Sequence, residues 1–376
     1  MDIVHATTVH QRGDTRILLK ECQSLAKDHR YSVTLWVKDG LPPETNAKVK
    51  IQSIGDAPAN RTKRFLSGIL SLAINSTRRK PDIIHIHDPE LITLIPLLKA
   101  LRVSVIFDMH ENVPKDIASK HYLSPNQKSS IHLLYKIFER ILTLCDFVIF
   151  AENSYKSNYT WLSSKVTILN YPKTESIPKR SPQKDFTFGY LGAVSHNRGI
   201  VPAIRAVKRL RETGISATFL CIGPIDPKVS SDPDFTEALN EGWLNAPGRI
   251  RADEAWPQIA RCQVGLAILD REENFITSYP TKLFEYMSIG IPVITSDFPL
   301  YRAVVDKADC GLTVPPEDQI KIFQAMKLLA TDDSLCTQLG ERGRQSVQEH
   351  YSWNSQEKKL QSLYSLLYSN KTGVPI

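Results

Sequence analysis

Short aliphatic and β-branched runs alternate with amphipathic stretches along almost the whole chain, and one proline-rich break divides the alternation in two. In the first half the apolar runs fall at 2–7, 32–37, 49–54, 83–87, 104–108 and 147–150, with helical patterns over 15–27, 63–79, 90–101 and 128–144 between them. Runs that are apolar at nearly every position suit strands buried on both faces, and helices must cover both faces of such a sheet. The pattern predicts a doubly wound α/β domain. Residues 170–185 then carry Pro172, Pro178 and Pro182 among charged residues. Proline suits neither a helix interior nor a sheet centre, so 171–185 reads as a linker. Afterwards the alternation resumes, with strands expected at 186–191, 217–222, 264–269 and 292–295 and helices near 200–212, 253–261 and 280–288. A chain of 376 residues also exceeds the roughly 250–300 at which one core stops growing. The expectation is two Rossmann-like, doubly wound α/β domains, 1–170 and 186–351, facing across a cleft.

Charge and cysteine usage narrow the function classes. Residues 1–180 hold 26 Lys and Arg against 17 Asp and Glu, a net of +9, while the rest hold 21 against 23, a net of −2. A basic half invites an anionic partner, or simply keeps the chain soluble. No aromatic-basic motif accompanies it, so nucleic acid is not an expected partner. The six cysteines are scattered singly with no Cys-x-x-Cys pair, which argues against a zinc site or disulfide framework and fits a reducing cytosol. No basic segment followed by an apolar core opens the sequence, and no apolar run nears the ~20 residues that span a bilayer. A soluble or peripheral cytoplasmic protein is expected.

The most informative segment runs Ser278-Tyr-Pro-Thr-Lys-Leu-Phe-Glu-Tyr-Met-Ser-Ile-Gly290. Ser278 reads as an N-cap and Pro280 as a first-turn residue whose missing N–H is not needed. Free amides and a positive dipole end then make a seat for a diphosphate, to which Lys282 adds a full charge. Glu285, within the next turn, suits the two vicinal hydroxyls of a ribose. Gly290 ends the helix. The plain alternative is an amphipathic helix with Lys282 and Glu285 on its wet face. A second segment, Phe188-Gly-Tyr-Leu-Gly-Ala-Val-Ser-His-Asn-Arg-Gly-Ile200, passes from a strand through a glycine-containing loop into a helix, again the layout of a phosphate site. Gly189 and Gly192 are three apart, so it is not the dinucleotide fingerprint.

These segments resemble the donor-binding signature of retaining glycosyltransferases of the GT-B fold, family 4 or group 1, in the branch whose donor helix starts Pro-Thr-Lys. The resemblance implies an enzyme that moves a hexosyl or related group from a UDP- or GDP-linked donor to a glycan, lipid-linked or other acceptor in polysaccharide or glycoconjugate biosynthesis. It implies that Glu285 holds the ribose, that Pro280, Thr281, Lys282 and Gly192 lie against the diphosphate, and that Arg198, before Gly199, clamps it. Many members carry a further Glu where this chain has Thr277, and an Arg where it has Ala193. His110 resembles the family histidine that reaches the donor sugar, so His110 and Glu285 are the candidate catalytic pair. Ile250 and Arg251 fall in the stretch resembling the base cradle, and Gly13, Asp14 and Glu111 are candidates for the acceptor or sugar side. The last helix, 352–376, is expected to rejoin the first domain. Neither metal nor cofactor is expected, since no Asp-x-Asp is seen that would hold one and the cations can neutralise the leaving group. A nucleotide-sugar epimerase, or a non-catalytic nucleotide-sugar binder of the same fold, are the alternatives.

Three further features stay open at this level. His85, His87 and Asp88 follow a predicted strand and read either as metal ligands or as a hydrogen-bonded loop. Asp14 is a fair N-cap for the helix after it, and Asp108 and Glu111 are both placed to orient His110. Residues 61–80 bracket an apolar stretch with six cations, which suits either a helix on an anionic membrane face or a core helix with basic ends.

Overall fold

The computed structural model describes residues 1–56, 60–111, 113–114 and 124–374. Asn112 of the motif after the 104–108 run, and the last two residues of the 352–376 segment, lie outside them. The chain forms two units, residues 1–170 with 353–376, and residues 171–352.

The first unit is built on a sheet of eight strands: β1 Asp2–Ala6, β2 Ser32–Val37, β3 Glu44–Asn46, β4 Val49–Ser53, β5 Ile83–Ile86, β6 Ser104–Met109, β7 Phe147–Phe150 and β8 Lys165–Thr167. Their order is β3-β4-β2-β1-β5-β6-β7-β8, and β3 alone among them runs antiparallel, against β4. The chain winds outward from β1 in one direction and then from β5 in the other, so the strand order reverses between these two neighbours. Helices α1 (Arg61–Arg79), α2 (Ile95–Ala100) and α3 (Pro125–Phe138) follow β4, β5 and β6. Leu72 of α1, Leu98 of α2 and Tyr135 of α3 join one apolar cluster on one face of the sheet. Ile17, Leu18 and Leu25 of the helical stretch after β1, with Trp353, Leu360 and Tyr364 of the last helix α8 (Trp353–Thr372), cover the other. That first stretch is less regular than an amphipathic pattern over 15–27 suggests. It opens as a wide turn, Ile17–Cys22, and only Gln23–Leu25 is α-helical.

The second unit holds a six-stranded parallel sheet: β9 Phe186–Leu191, β10 Ala217–Ile222, β11 Leu244–Gly248, β12 Val264–Ala267, β13 Val293–Ser296 and β14 Gly311–Val314, ordered β11-β10-β9-β12-β13-β14. Here the reversal falls between β9 and β12. Helices α4 (Ile200–Glu212), α5 (Thr281–Ile289), α6 (Gln319–Ala330) and α7 (Asp333–His350) pack with it. The proline stretch, irregular apart from a short helical turn at Thr174–Ser176, is laced to this unit, with Arg180, Ser181 and Gln183 amides donating to Ile289, Ala260 and Arg261 carbonyls at 2.8–3.1 Å. β11 and β14 have no counterpart among the expected strands. β11 (Leu-Asn-Ala-Pro-Gly) has no aliphatic run to mark it, and β14 is a four-residue strand led by glycine. All six cysteines are free and buried.

Two close backbone approaches fix the loop after β9. Gly199 has φ +67°, and a Cβ there would lie 2.4 Å from the Ile268 carbonyl oxygen. Gly223 has φ +147° and would bring a Cβ to 1.8 Å from the Gly192 carbonyl oxygen. Gly199→Ala should therefore destabilise the chain by more than the ~1 kcal/mol of an ordinary glycine in positive φ, on the order of 2–4 kcal/mol. Gly242→Ala, at φ +77° with nothing within 4 Å, should show only the smaller loss. Urea unfolding of the two variants checks this; equal losses would contradict it.

Candidate functional site

Ligand sites in open α/β sheets form at the carboxyl ends of strands where the strand order reverses. Each unit has polar side chains gathered at such a point.

In the second unit the reversal between β9 and β12 brings together the loop after β9, the turn before α4 and the start of α5. Pro280, not Ser278, is the N-cap of α5, and no side chain caps this end. Proline at 280 holds an extended φ/ψ and the helix begins one residue later, while the Ser278 hydroxyl turns back to the Asn274 carbonyl. The first amides of a nine-residue helix are thus left without a side-chain cap, and Thr281 at its first position is exposed. Lys282 does not lie on a wet face: it is 6% exposed. Among the described residues its Nζ has no hydrogen-bond partner. The amine rests 3.8 Å from the centroid of the Tyr190 ring and faces Gly192, where a Cβ would come within 3.1 Å of it. Gly192 itself has φ +143°, so both shape and backbone ask for glycine there. Arg198 stands in the turn His196–Arg198, with its guanidinium 5.2 Å from the centroid of the Phe275 ring. Burial, and then the charge of Arg198, push the Lys282 pKa well below its ordinary value, and Glu285 only partly opposes them.

Two cations and uncapped amides held together without an anion to pair Lys282 describe an anion seat. Glu285, half-buried one turn along α5, is near enough for its charge to act on Lys282. Ile250 and Arg251 follow β11 at the start of the helix Ala252–Ile259, Arg251 being its exposed N-cap.

In the first unit the reversal between β1 and β5 gathers five histidines. His5 pairs in register with His85 across β1 and β5, and His87 and His110 follow the ends of β5 and β6. The arrangement is anchored by Arg16 and Asp108, both buried, whose guanidinium and carboxylate meet in two hydrogen bonds of 2.8 and 2.9 Å. Burial would raise the Asp108 pKa, but the Arg16 and His110 charges outweigh it and hold it well below the carboxylate range. Asp108 Oδ2 lies 3.0 Å from His110 Nε2. A carboxylate only accepts, so that nitrogen carries a proton. The remaining tautomers follow from the contacts. His87 Nδ1, 3.1 Å from the same nitrogen, accepts; His87 Nε2 then donates to His5 Nδ1 at 3.0 Å. His5 Nε2 donates to the Tyr364 hydroxyl at 3.3 Å, which donates to His85 Nδ1 at 2.9 Å. Neutral rings are what this interior favours: burial, and then a neighbouring histidine, lower the pKa of His5 and His85, and burial brings that of His87 to about 4 against the pull of Asp108.

The sequence-level candidates in this unit are only partly brought together. Asp108 orients His110, whereas Glu111 is exposed. Asp14 Oδ1 accepts from the Arg16 and Ile17 amides at 2.9 Å in the turn before the helical stretch, whose N-cap is Arg16, and Oδ2 lies 3.3 Å from His10 Nδ1. Gly13 is exposed, with nothing within 4 Å of a Cβ, so no close approach demands glycine there. Asp88 binds the loop after β1, accepting from the Thr7 and Thr8 hydroxyls at 3.0 Å and from the Thr8 amide. His5, Glu21, His85 and His87 bring ligand atoms within 4.8 Å of one another, but His5, His85 and His87 are already joined in the hydrogen-bonded chain. His5, Arg16 and Tyr364 were not legible as site residues. The sole sequence signal was polar residues recurring at the ends of apolar runs.

Residues 185–332 match the family model described as Glycosyl transferases group 1. The capsular polysaccharide biosynthesis glycosyltransferase CapM of Staphylococcus aureus is 22% identical over 228 residues, covering 56% of this chain. The chain spans 58% of the length of that relative. Among solved structures, sucrose-phosphate synthase from Thermosynechococcus elongatus superposes with a TM-score of 0.74 at 18% identity, over 98% of this chain and 99% of the other. HepE from Anabaena in complex with UDP gives 0.70 at 13%, over 97% and 100%. An α,α-trehalose-phosphate synthase (UDP-forming) from Burkholderia vietnamiensis gives 0.68 at 12%, over 100% and 99%.

An amine buried without a partner lowers stability, so removing its charge should raise it. Between the lowered pKa and 10.5 the unfolded chain binds a proton that the folded chain does not, so stability rises with pH across that window. Lys282→Met, which keeps the apolar stem, should stabilise the unliganded protein by about 1–3 kcal/mol while weakening nucleoside-diphosphate binding by ~10-fold or more. Urea unfolding with calorimetric titration checks both; a destabilised variant with unchanged affinity would contradict the assignment. The fold is GT-B, and within it residues 185–332 match the Glycosyl transferases group 1 model.

Proposed function

We propose that this chain is a retaining glycosyltransferase of family 4, transferring a sugar from a nucleotide-sugar to a glycan, lipid-linked or other acceptor in polysaccharide or glycoconjugate synthesis. The observation that carries the reading is the buried, unpaired amine of Lys282 beside Arg198 and Gly192. A diphosphate is the ligand whose charge and oxygen count suit two cations at an uncapped helix start.

In this reading Lys282, Arg198 and the amides after Pro280 stabilise the departing nucleoside diphosphate as the glycosidic C–O bond breaks. Two cations and a helix dipole do this without a metal. Gly192 lets the phosphates approach, Glu285 takes the two ribose hydroxyls, and the segment at Ile250 and Arg251 borders the base. The acceptor oxygen forms its bond to the anomeric carbon on the face the diphosphate leaves. Its proton passes to a donor phosphate oxygen, so no separate carboxylate base is required. His110, held by Asp108 with a defined tautomer, keeps the role on the donor sugar that the family resemblance implies. Gly13, Asp14 and Glu111 belong to the acceptor side of the same reading. The protein acts in the cytoplasm, peripheral to the inner face of the membrane where its acceptor is lipid-linked. HepE is bound to UDP and the trehalose-phosphate synthase is UDP-forming, which favours a uridine donor over a guanosine one.

Glu285→Ala should reduce affinity for the donor nucleotide by about 10- to 100-fold through loss of two charge-assisted hydrogen bonds. Calorimetric titration with UDP and GDP measures it, and wild-type affinity in the variant would overturn the ribose assignment. Nucleotide released only when acceptor is present separates transfer from epimerisation or simple binding.

A further inference from the structure

The anion seat lies at the start of α5, and the far end of the same helix borders a second cavity, of about 320 Å³, contained within the second unit. At ~1.5 Å per residue, the nine residues of α5 separate the two by roughly 13 Å. Three pieces of chain make its walls. Thr174, Ile177 and Lys179 belong to the proline stretch, Ser288 to the last turn of α5, and Arg344 and Gln348 to the second half of α7. These pieces are fixed against one another by backbone. A Cβ on Gly340 of α7 would lie 2.1 Å from the Gly290 carbonyl oxygen. The Arg180 amide donates to the Ile289 carbonyl at 2.9 Å, and its guanidinium donates to the Thr337 hydroxyl at 3.1 Å. The gap between them is therefore held open by packing around it.

The lining is polar and carries two cations. Lys179 is exposed and Arg344 half-buried, and among the described residues neither has a hydrogen bond or an ion pair. A cation is favoured at a helix carboxyl end, which would give Arg344 an ordinary task. It makes no hydrogen bond there, however: the Tyr286, Met287 and Ile289 carbonyls are taken by the amides of Gly290, Ile291 and Arg180. The arginine stem packs on Gly290 instead, 3.5 Å from where a Cβ would stand. Glu175 is the one carboxylate on the wall and is exposed, so two cations against one anion leave the lining positive. The Ser288 hydroxyl donates to the Phe284 carbonyl at 2.7 Å and meets a ligand as an acceptor. Thr174 adds a hydroxyl, Gln348 an amide and Ile177 an apolar surface. Such a set matches a small molecule with one anionic group and several hydroxyls. The volume falls at the lower end of the roughly 300–1,000 Å³ of small-ligand pockets, enough for a phosphorylated monosaccharide and too little for a nucleotide-sugar.

We propose that this cavity is a second ligand site, separate from the anion seat, that takes a monosaccharide carrying one phosphate group. The phosphate lies between Lys179 and Arg344, and the sugar ring lies over Ile177 with its hydroxyls on Thr174, Ser288 and Gln348. Such a ligand ties the proline stretch to both α5 and α7. The inference does not depend on the assignment of the anion seat or on the transfer chemistry.

Hydrogen exchange of the full chain, read by mass spectrometry with glucose 1-phosphate, glucose or inorganic phosphate added, tests it. Glucose 1-phosphate should slow exchange across 174–180 and 340–348, with a midpoint concentration at least about fivefold below that of inorganic phosphate. Uncharged glucose should leave these segments unchanged. Lys179→Met/Arg344→Met, which keeps both apolar stems, should raise the midpoint by ~10-fold or more, with melting confirming that the variant is folded. Lys179→Met alone, at an exposed side chain that no fold contact uses, should raise it by about threefold and gives a reading even if the double variant fails to fold. The proposal is overturned if glucose 1-phosphate leaves the two segments unprotected, if glucose or inorganic phosphate protects them as well, or if Lys179→Met binds as the parent does. Protection confined to the segments around Gly192 and Lys282 would put the ligand in the anion seat and overturn it equally.

Discussion

An ammonium group sealed inside a protein with nothing to accept its protons raises the free energy of the folded state, and Lys282 sits in that position. The rest of the second unit's site is arranged around tolerating it. Tyr190 offers the face of its ring, the next best thing to an anion for a cation, and itself spans back to the Ala193 carbonyl at 2.7 Å. Gly192 leaves the space that a side chain would take from the amine, and Gly223 lets the neighbouring loop lie against Gly192. Gly199 lets the Arg198 turn close onto the end of β12. A second cation nearby makes matters worse for the unliganded chain, since Arg198 further disfavours the charged lysine. Strain of this sort, several like-charged or positive-φ features around one point, persists where a ligand relieves it.

The first unit solves a different problem with the same economy of residue types. Arg16 and Asp108 are 92 positions apart in sequence, yet their fork-to-fork contact is the buried anchor of the site. With Asp108 held as an anion, protons on four imidazoles are fixed one after another, the chain passing through the Tyr364 hydroxyl of α8 to His85. The last helix therefore contributes a hydroxyl to the histidine chain as well as apolar side chains to the core. A chain of linked hydrogen bonds that ends on a buried His85 Nε2 without a partner supports His110 from one side. Glu21 stands apart: burial, and then repulsion by Asp108, raise its pKa well above the carboxylate range. It lies 3.1 Å from Arg16 and 3.9 Å from both His5 and His85.

The alternation of apolar runs located β1, β2 and β4 to β7 to within a residue or so, because buried parallel strands leave continuous aliphatic signatures. β3, Glu-Thr-Asn, has no such signature and exists only as a partner for β4. The Pro-Thr-Lys start of α5 was readable as a helix opening, since proline and glycine punctuate it at both ends. The identity of the cap was not: Ser278 is the commoner capping type, but Pro280 already holds the extended backbone a cap requires, and the serine finds a carbonyl in the preceding turn. Burial of Lys282 was beyond a sequence pattern, because lysine at a half-exposed helix position and lysine sunk against Tyr190 read alike. The same holds for His5, whose role depends on its register with His85 across 80 residues.

Lys282, whose burial and neighbouring Arg198 disfavour its charged form, waits for an anion to fill its pocket. Isothermal titration of the protein with UDP near pH ~8, in buffers of widely different ionisation enthalpy, measures the protons exchanged on binding. If the pocket is a diphosphate seat, the observed enthalpy varies with the buffer in the sense of net uptake, up to about one proton per site. Tight binding with an enthalpy that is the same in every buffer, or with proton release, would contradict the account.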